Sequence, residues 1–385
     1  MVYILILIYI FFLVIRYDVR NFNEGKNTNY HILWGVFVLV AGLSYHVGGD
    51  SIGYEISFNN YRFVHSLDDV YDGDLLANSK EPLWVLVNIL FFKVFGDFQF
   101  LKFAIALFFN TTVFWFVKKH SSKPFFSILL YAVILGLHLN FQVLRESVAI
   151  GFFLIAFDNL CGEKKKYFRY YLLIIIAFLF HRFAFVLVIV PLFNIIRMNW
   201  GFYAILAFFL FAGPVVNTLM VESGLFLLND SLARSFEGFM NSDEYGAESL
   251  TIFGIAATLL KLIPLWVLIF YCKDCFIRRT SCAYFLVYVL NIVSIGIFYR
   301  FNDFFLFPFV VTAAESFKNI NRPSKIKTEM ARYSRPALNI IIVLYLVFTI
   351  VGNITYKRSF EYFPYSSVIT KHVVQERENL LYYMW

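Results

Sequence analysis

The sequence predicts an all-α, polytopic integral membrane protein with about 12–13 transmembrane segments. Three observations lead there. Hydrophobic residues fill 60% of the 385 positions and charged residues only 15%, with a mean hydropathy of +0.68. A soluble domain carries roughly 25% charged and 45–50% apolar residues, so this surplus has no water-facing surface to occupy and lipid must be its solvent. Apolar runs suited to about 30 Å of hydrocarbon recur from end to end, and the basic residues fall in short blocks between them.

The first run, Val2–Ile15, has neither a basic leader nor a small-residue cleavage site, so it reads as an uncleaved anchor. Further runs cover 31–47, 82–95, 98–117, 124–140, 144–160, 168–180, 183–196, 201–220, 250–271, 282–298, 303–317 and 337–353. With no linker, soluble segment or internal repeat among them, residues 1–385 read as one multi-span domain. Basic blocks mark cytoplasmic loops: Arg16, Arg20 and Lys26; Lys118, Lys119 and Lys123; Lys164–Arg169; Lys273–Arg279; and Lys318–Lys327. The acidic loops 48–81 and 222–248, and the tail 354–385, are expected to face outward. An outward 48–81 and an inward Lys118 require an odd number of crossings between them. The 82–95 run is short, carries Lys93 and ends at Gly96–Asp97, so it is expected to be re-entrant or interfacial. Irregular backbone at membrane depth is tolerated where protein or a polar cavity covers it.

The net charge of +7 is dispersed among loops, which excludes a nucleic-acid-binding face. Cys272 and Cys275 form a C-x-x-C with only Cys282 nearby. A zinc site needs about four ligands, so no metal is expected. The 49 Phe and 25 Tyr suit lipid-facing surface and interface belts.

Ionisable groups in or beside spans cost about 2.5–3.5 kcal/mol each and are functional candidates by default. They gather at the inferred outward ends: Asp50 and Tyr54, Glu81, Arg145 and Glu146, His181 and Arg182, then Arg300 and Asp303. His138, Gln142, Arg145 and Ala149 share one helical face if the helix runs through unbroken. Arg145 has a plain alternative, pairing with Glu146 or a neighbouring carboxylate to pin two helices. Arg300 has another, pairing with Asp303 in a turn at 299–303. The adjacent His181 and Arg182 need a common anionic partner. Three arginines near one membrane face point to a multi-oxygen anion, since guanidinium forks bind phosphate bidentately and never lose their charge.

Four local patterns resemble the EpsG-type, Wzy-like polymerases of bacterial polysaccharides. Gly48-Gly49-Asp50-Ser51-Ile52-Gly53-Tyr54 is similar to their G-x-D-x-x-x-Y, and Glu81-Pro82-Leu83-Trp84 to E-P-x-aromatic. Arg145-Glu146-Ser147-Val148-Ala149 resembles R-Q-x-[LIV]-A, and Phe180-His181-Arg182-Phe183-Ala184 resembles F-H-x-S-A. Phe363-Pro364-Tyr365-Ser366-Ser367 is a weaker match. The chain departs by reading Leu43-Ser44-Tyr45-His46-Val47 where an Arg is frequent, and by having Glu146 for Gln and Phe183 for Ser.

The resemblance implies a GT-C-like helical fold in the bacterial inner membrane with an outward-facing site. It also implies a metal- and cofactor-independent glycosyltransferase for exopolysaccharide, capsule or O-antigen. The substrate would be an oligosaccharide on undecaprenyl diphosphate, and a flippase and a chain-length regulator would be partners. Arg145, Arg182 and Arg300 are then candidates for the diphosphate. His181 is the candidate base, with Asp50, Glu81 and Glu146 as rivals. Gln142, Tyr54, Tyr61, Trp84, Phe236 and Tyr245 are candidates for glycan contacts. A flippase of the same lipid-linked glycan, or an O-antigen-ligase-type transferase, is the alternative.

Overall fold

The structure, a computed structural model, describes residues 2–64, 81–195, 275–293, 299–320, 329–355 and 358–384. The expected spans 201–220 and 250–271, the loop 222–248, Phe236, Tyr245 and Cys272 lie outside the described residues. Regular structure among the described residues is helical, apart from one isolated bridge between Ser44 and Ser367. The chain forms two compact units, Met1–Phe185 with Leu346–Trp385, and Val186–Tyr345. No change of composition marks their boundary, which falls inside helical segments.

In the first unit α1 (Val2–Leu13) continues as a π-turn, Val14–Val19. Next come α2 (Lys26–Gly42), α3 (Ser51–Asn60), α4 (Pro82–Phe95) and α5 (Phe98–His120). α6 (Pro124–Tyr131) is prolonged by π-turns at Ala132–Gly136 and His138–Gln142, and α7 (Leu144–Cys161) and α8 (Tyr167–Phe180) follow. Two of these helical runs, Val2–Val19 and Phe98–His120, are long and apolar enough to cross a membrane alone. The others are shorter, and breaks at Gly96, Val143 and His181 end three of the helical runs. Ile4, Leu5, Ile8, Phe11 and Phe12 of α1, Leu86 and Leu90 of α4, and Leu172 and Ile175 of α8 are exposed. Large apolar side chains in such number on an outer face mark a surface meant for lipid.

The helices pack through aromatic and polar contacts. The Tyr30 hydroxyl of α2 donates to the Phe114 carbonyl of α5 at 2.8 Å, and Phe37 meets the Phe114 ring edge-on at 5.4 Å. Phe152 of α7 stacks on Phe180 of α8 at 5.6 Å. The buried amide of Asn110 donates to Asn140 Oδ1 at 2.9 Å, which ties α5 to the π-turn before α7.

Polar contacts sort the helix ends. At one end Lys118 donates to Asn27 (2.6 Å), Lys123 to Asn21 (2.8 Å), and Asp158 meets Lys119 (2.6 Å) and His120 (2.9 Å). At the other end Gln99 donates to the Gly42 carbonyl, Lys102 to the Ser44 carbonyl (3.1 Å), and Arg145 to Glu81 (2.6 Å). The residues just before and just after α4, Glu81 and Gln99, both belong to the second end. α4 has 14 residues, about 21 Å at 1.5 Å per residue, short of the roughly 30 Å of a hydrocarbon core. Proline at its first position and Gly96 in the left-handed conformation (φ 67°) close it.

The second unit contains α9 (Phe276–Val293) and α10 (Tyr299–Ile320), packed through Tyr284 stacked on Phe309 at 4.5 Å. Residues 299–303, expected to form a turn, are the first turn of α10. The 18-residue α9 begins several residues before the expected run at 282. α11 (Glu329–Thr355) carries the chain back to the first unit, where α12 (Gln375–Met384) ends it.

Candidate functional site

The site is made from helix ends. Glu81 precedes α4 with extended backbone (φ −65°, ψ 142°), and its side chain does not cap the helix. It turns instead to two guanidinium groups. Arg145 Nη1 donates to Glu81 Oε2 at 2.6 Å. The backbone N–H and the Nε of Arg182 both donate to Oε1, at 3.1 and 3.4 Å. The expected anionic partner of His181 and Arg182 is therefore Glu81, shared with Arg145. The ion pair of Arg145 runs to Glu81, 64 residues away, and not to its neighbour Glu146.

His181 lies at the break between α8 and the 3-10 segment Arg182–Asn194, in an extended conformation (φ −154°, ψ 113°). Its Nδ1 is 3.8 Å from Glu81 Oε1 and its Nε2 is 3.6 Å from Glu146 Oε2. Phe183, in place of the serine of the motif, meets the imidazole edge-on at 5.5 Å. The arrangement is layered. Glu81, Glu146 and His181 are 7%, 1% and 5% exposed, whereas the side chains of Arg145 and Arg182 are 24% and 26% exposed. Buried carboxylates survive in such a place only when charged donors meet them.

Tyr54 of α3 lies beneath Arg145, whose Cζ is 6.0 Å from the ring centroid, within cation–π range. Its ring contacts Trp84 edge-on at 5.4 Å. Asp50 precedes α3 by one residue and leaves the helix uncapped by its side chain; its carbonyl accepts from the Tyr54 N–H at 3.0 Å. It is half-buried, the most open carboxylate of the group. Trp84 and Tyr61 are buried, so neither offers a ring face for a sugar to stack on, against the expectation from sequence.

The face shared by His138, Gln142, Arg145 and Ala149 does not form. The backbone breaks at Val143 (φ −102°, ψ 62°), and the Val143 N–H bonds to the His138 carbonyl, five residues back, at 3.3 Å. A π-turn does not keep the 3.6-residue period. His138 and Gln142 face each other at 3.4 Å before the break, and Arg145 starts the next helix. Gln142 accepts from the Tyr362 hydroxyl. Arg300 stands at the start of α10 in the second unit, and Asp303, one turn on, is fully buried.

His46 is the participant that sequence reasoning left out. Its Nδ1 lies 2.6 Å from Glu378 and its Nε2 3.1 Å from Glu55, so one imidazole joins α3 to α12. Burial pushes the His46 pKa down, but bonds and charge from Glu55 and Glu378 outweigh it, and the net shift is upward. Arg377, Lys102 and Tyr45 stand around the same group. A histidine raised above its unfolded value stabilises the folded state fully below about pH 6.5 and loses that contribution as pH rises through the raised value. The docking of α12 is therefore expected to weaken as pH is taken from 6 to 9. Hydrogen exchange of residues 375–384 reads this, and in His46→Gln the pH dependence should be absent. An unchanged pH profile in that variant assigns the effect elsewhere.

A family model described as the EpsG family matches residues 27–367. No curated protein and no solved structure matches the chain. The match spans the glycine turn at Gly48, Glu81, Arg145, His181 and the 363–367 segment, so everything assembled around Glu81 falls inside it.

Proposed function

Because this chain belongs to the EpsG family, a membership that supports a polymerase-like role in polysaccharide biosynthesis at a membrane, we propose that it joins lipid-diphosphate-linked oligosaccharide repeat units. The observation that carries this reading is the convergence of Arg145 and Arg182 on the single buried carboxylate of Glu81. Two guanidinium groups held by one oxygen pair are preorganised for a second multi-oxygen anion. Each guanidinium meets Glu81 through one nitrogen, Arg145 Nη1 and Arg182 Nε, and guanidinium fork geometry matches phosphate.

In the proposed reaction the acceptor hydroxyl oxygen attacks the anomeric carbon of the growing glycan. The bond from that carbon to the diphosphate breaks, and the leaving polyprenyl diphosphate takes the electron pair. Arg145 and Arg182 stabilise the developing charge. The hydroxyl proton passes to Asp50, the open carboxylate one helical turn from Tyr54. His181 and Glu146 lie underneath and orient the arginine layer. The diphosphate is an anion already stable as a leaving group, so the step asks for cations and a base. Undecaprenyl diphosphate is the carrier that the resemblance implies, and the site faces outward at the end of the bundle remote from the basic loops. The full count of about 12–13 spans and the GT-C-like architecture belong to the same proposal.

Right-side-out vesicles test it in one experiment. With lipid-linked repeat units supplied externally, the chain should yield a glycan ladder and free polyprenyl diphosphate. An impermeant thiol reagent should reach both Asn59→Cys and Lys93→Cys but not Lys164→Cys. A ladder made only from internally supplied donor, or opposite labelling of Asn59→Cys and Lys93→Cys, overturns the orientation. No ladder from either side overturns the polymerase.

A further inference from the structure

The C-terminal segment 358–379 runs as a strap over the end of the first unit where the arginines lie. Outside the segment itself, its contacts reach residues more than 200 positions earlier. The Tyr45 N–H donates to the Ser366 carbonyl and the Val368 N–H to the Leu43 carbonyl, both at 2.9 Å, around the Ser44–Ser367 bridge. The Tyr365 hydroxyl donates to the Val40 carbonyl at 3.0 Å. Arg377 is buried and donates to the carbonyls of Phe360 (2.7 Å), His46 (3.3 Å) and Pro364 (2.5 Å). With so many backbone acceptors tied, the strap is a fixed part of the fold.

Two consecutive strap residues touch the two sides of one tight contact. Gly48 (φ 92°) lies so close to the Phe141–Gln142 peptide that a Cβ on it would fall 2.4 Å from the Phe141 carbonyl oxygen. Only glycine permits that approach. The carbonyl of Glu361 accepts from the Gly48 N–H at 2.8 Å, and its carboxylate, paired with Arg358, stands over Gly49. The next residue, Tyr362, donates its hydroxyl to Gln142 Oε1. Asp50 follows Gly48 by two residues, and Arg145 follows Gln142 by three, just after the break at Val143.

We propose that Tyr362 is a positioning residue: its hydroxyl holds Gln142, and through the break at Val143 it sets Arg145 against the Gly48–Asp50 turn that Glu361 holds. This rests on the functional reading above, deepening it by giving the strap a part in the spacing between the diphosphate cation and the acceptor base. Displacement of about 1 Å in such a pair costs up to about 100-fold in rate.

Tyr362→Phe keeps the ring in its apolar packing with Tyr3, Phe141 and Val47 and removes only the donor. Expected are normal membrane insertion, a kcat lowered about tenfold or more, and a KM for the lipid-linked donor within about twofold. In a Gln142→Ala background the same change should have no further effect, because residues acting through one contact are non-additive. A ring that only stabilised the fold would give additive losses and a lowered thermal midpoint at unchanged kcat. Hydrogen exchange over 44–54 and 139–146 of the full chain in nanodiscs gives a readout independent of turnover, with faster exchange expected in Tyr362→Phe. Wild-type activity within twofold, additive losses in the double variant, or unchanged exchange in both segments overturns the positioning role. If the wild-type chain makes no polymer, the functional reading fails by itself, and the exchange arm still decides whether Tyr362 sets these two segments.

Discussion

Arg145→Ala should lower polymerisation by about 100- to 1,000-fold, the usual consequence of removing one preorganised charge-stabilising donor. The fold should survive. Glu81 keeps the N–H and Nε of Arg182, so the loss is that of one charged donor to a buried carboxylate, about 1–3 kcal/mol. Single lipid-linked repeat units should then accumulate on the outer leaflet. Accumulation on the inner leaflet would instead assign the chain to flipping, since the units would never have reached a polymerase. Arg145→Lys is the more discriminating variant. It retains charge, but its compact ammonium cannot reproduce the planar guanidinium fork between Glu81 and a diphosphate. Full activity in Arg145→Lys would falsify the fork geometry and leave only a requirement for charge. Glu81→Gln should be impaired as well: both arginines lose their common anchor, and donor KM is expected to rise.

Asp50→Asn is expected to lower turnover by about 100- to 10,000-fold, the range associated with a lost general base, with donor binding preserved. The comparison is His181→Gln. If His181 orients the layer below the arginines, a glutamine that can still bond one of the flanking carboxylates should retain roughly a tenth of the activity. The pH profile separates the two assignments. A histidine base must be neutral, so turnover would fall as pH drops through the imidazole range, about 6.5 when unperturbed. A charged phosphate ligand would give the reverse slope. With Asp50 as base, the wild-type chain and His181→Gln should share one profile across pH 6–8. An inactive His181→Gln beside an active Asp50→Asn, together with an acid limb in the wild-type profile, moves the base to His181. In the structure the Arg182 guanidinium reaches toward Glu81, and a carboxylate faces each ring nitrogen of His181.

Much of the helical inventory is legible in the sequence, for a simple reason. A run of apolar residues is long, and burying or lipidating it pays for little else, so the runs at 82–95, 98–117 and 168–180 reappear as α4, α5 and α8 almost unchanged. The candidate residues were also marked individually, because charge beside apolar runs is costly and each such residue needs a reason.

What the sequence by itself determined is thus a helical membrane protein, its family, and the separate addresses of Glu81, Arg145 and His181-Arg182. Tertiary structure alone decided that these meet on one carboxylate, since residues 64 and 101 positions apart share Glu81 only through helix packing. It also decided the break at Val143. No glycine or proline stands there to announce it. The Ser147 hydroxyl bonds to the carbonyls of Leu139 and Val143, and the π-turn shifts the register that a 3.6-residue period assumes. His46 and the strap are the extreme case. Their partners lie 332 and 220 positions away, and a single long-range hydrogen bond leaves no periodicity behind. Apolar burial acts over whole runs and so is written along the chain. The contacts that position a charge are single, directional and non-local, and only the folded chain brings their two halves together.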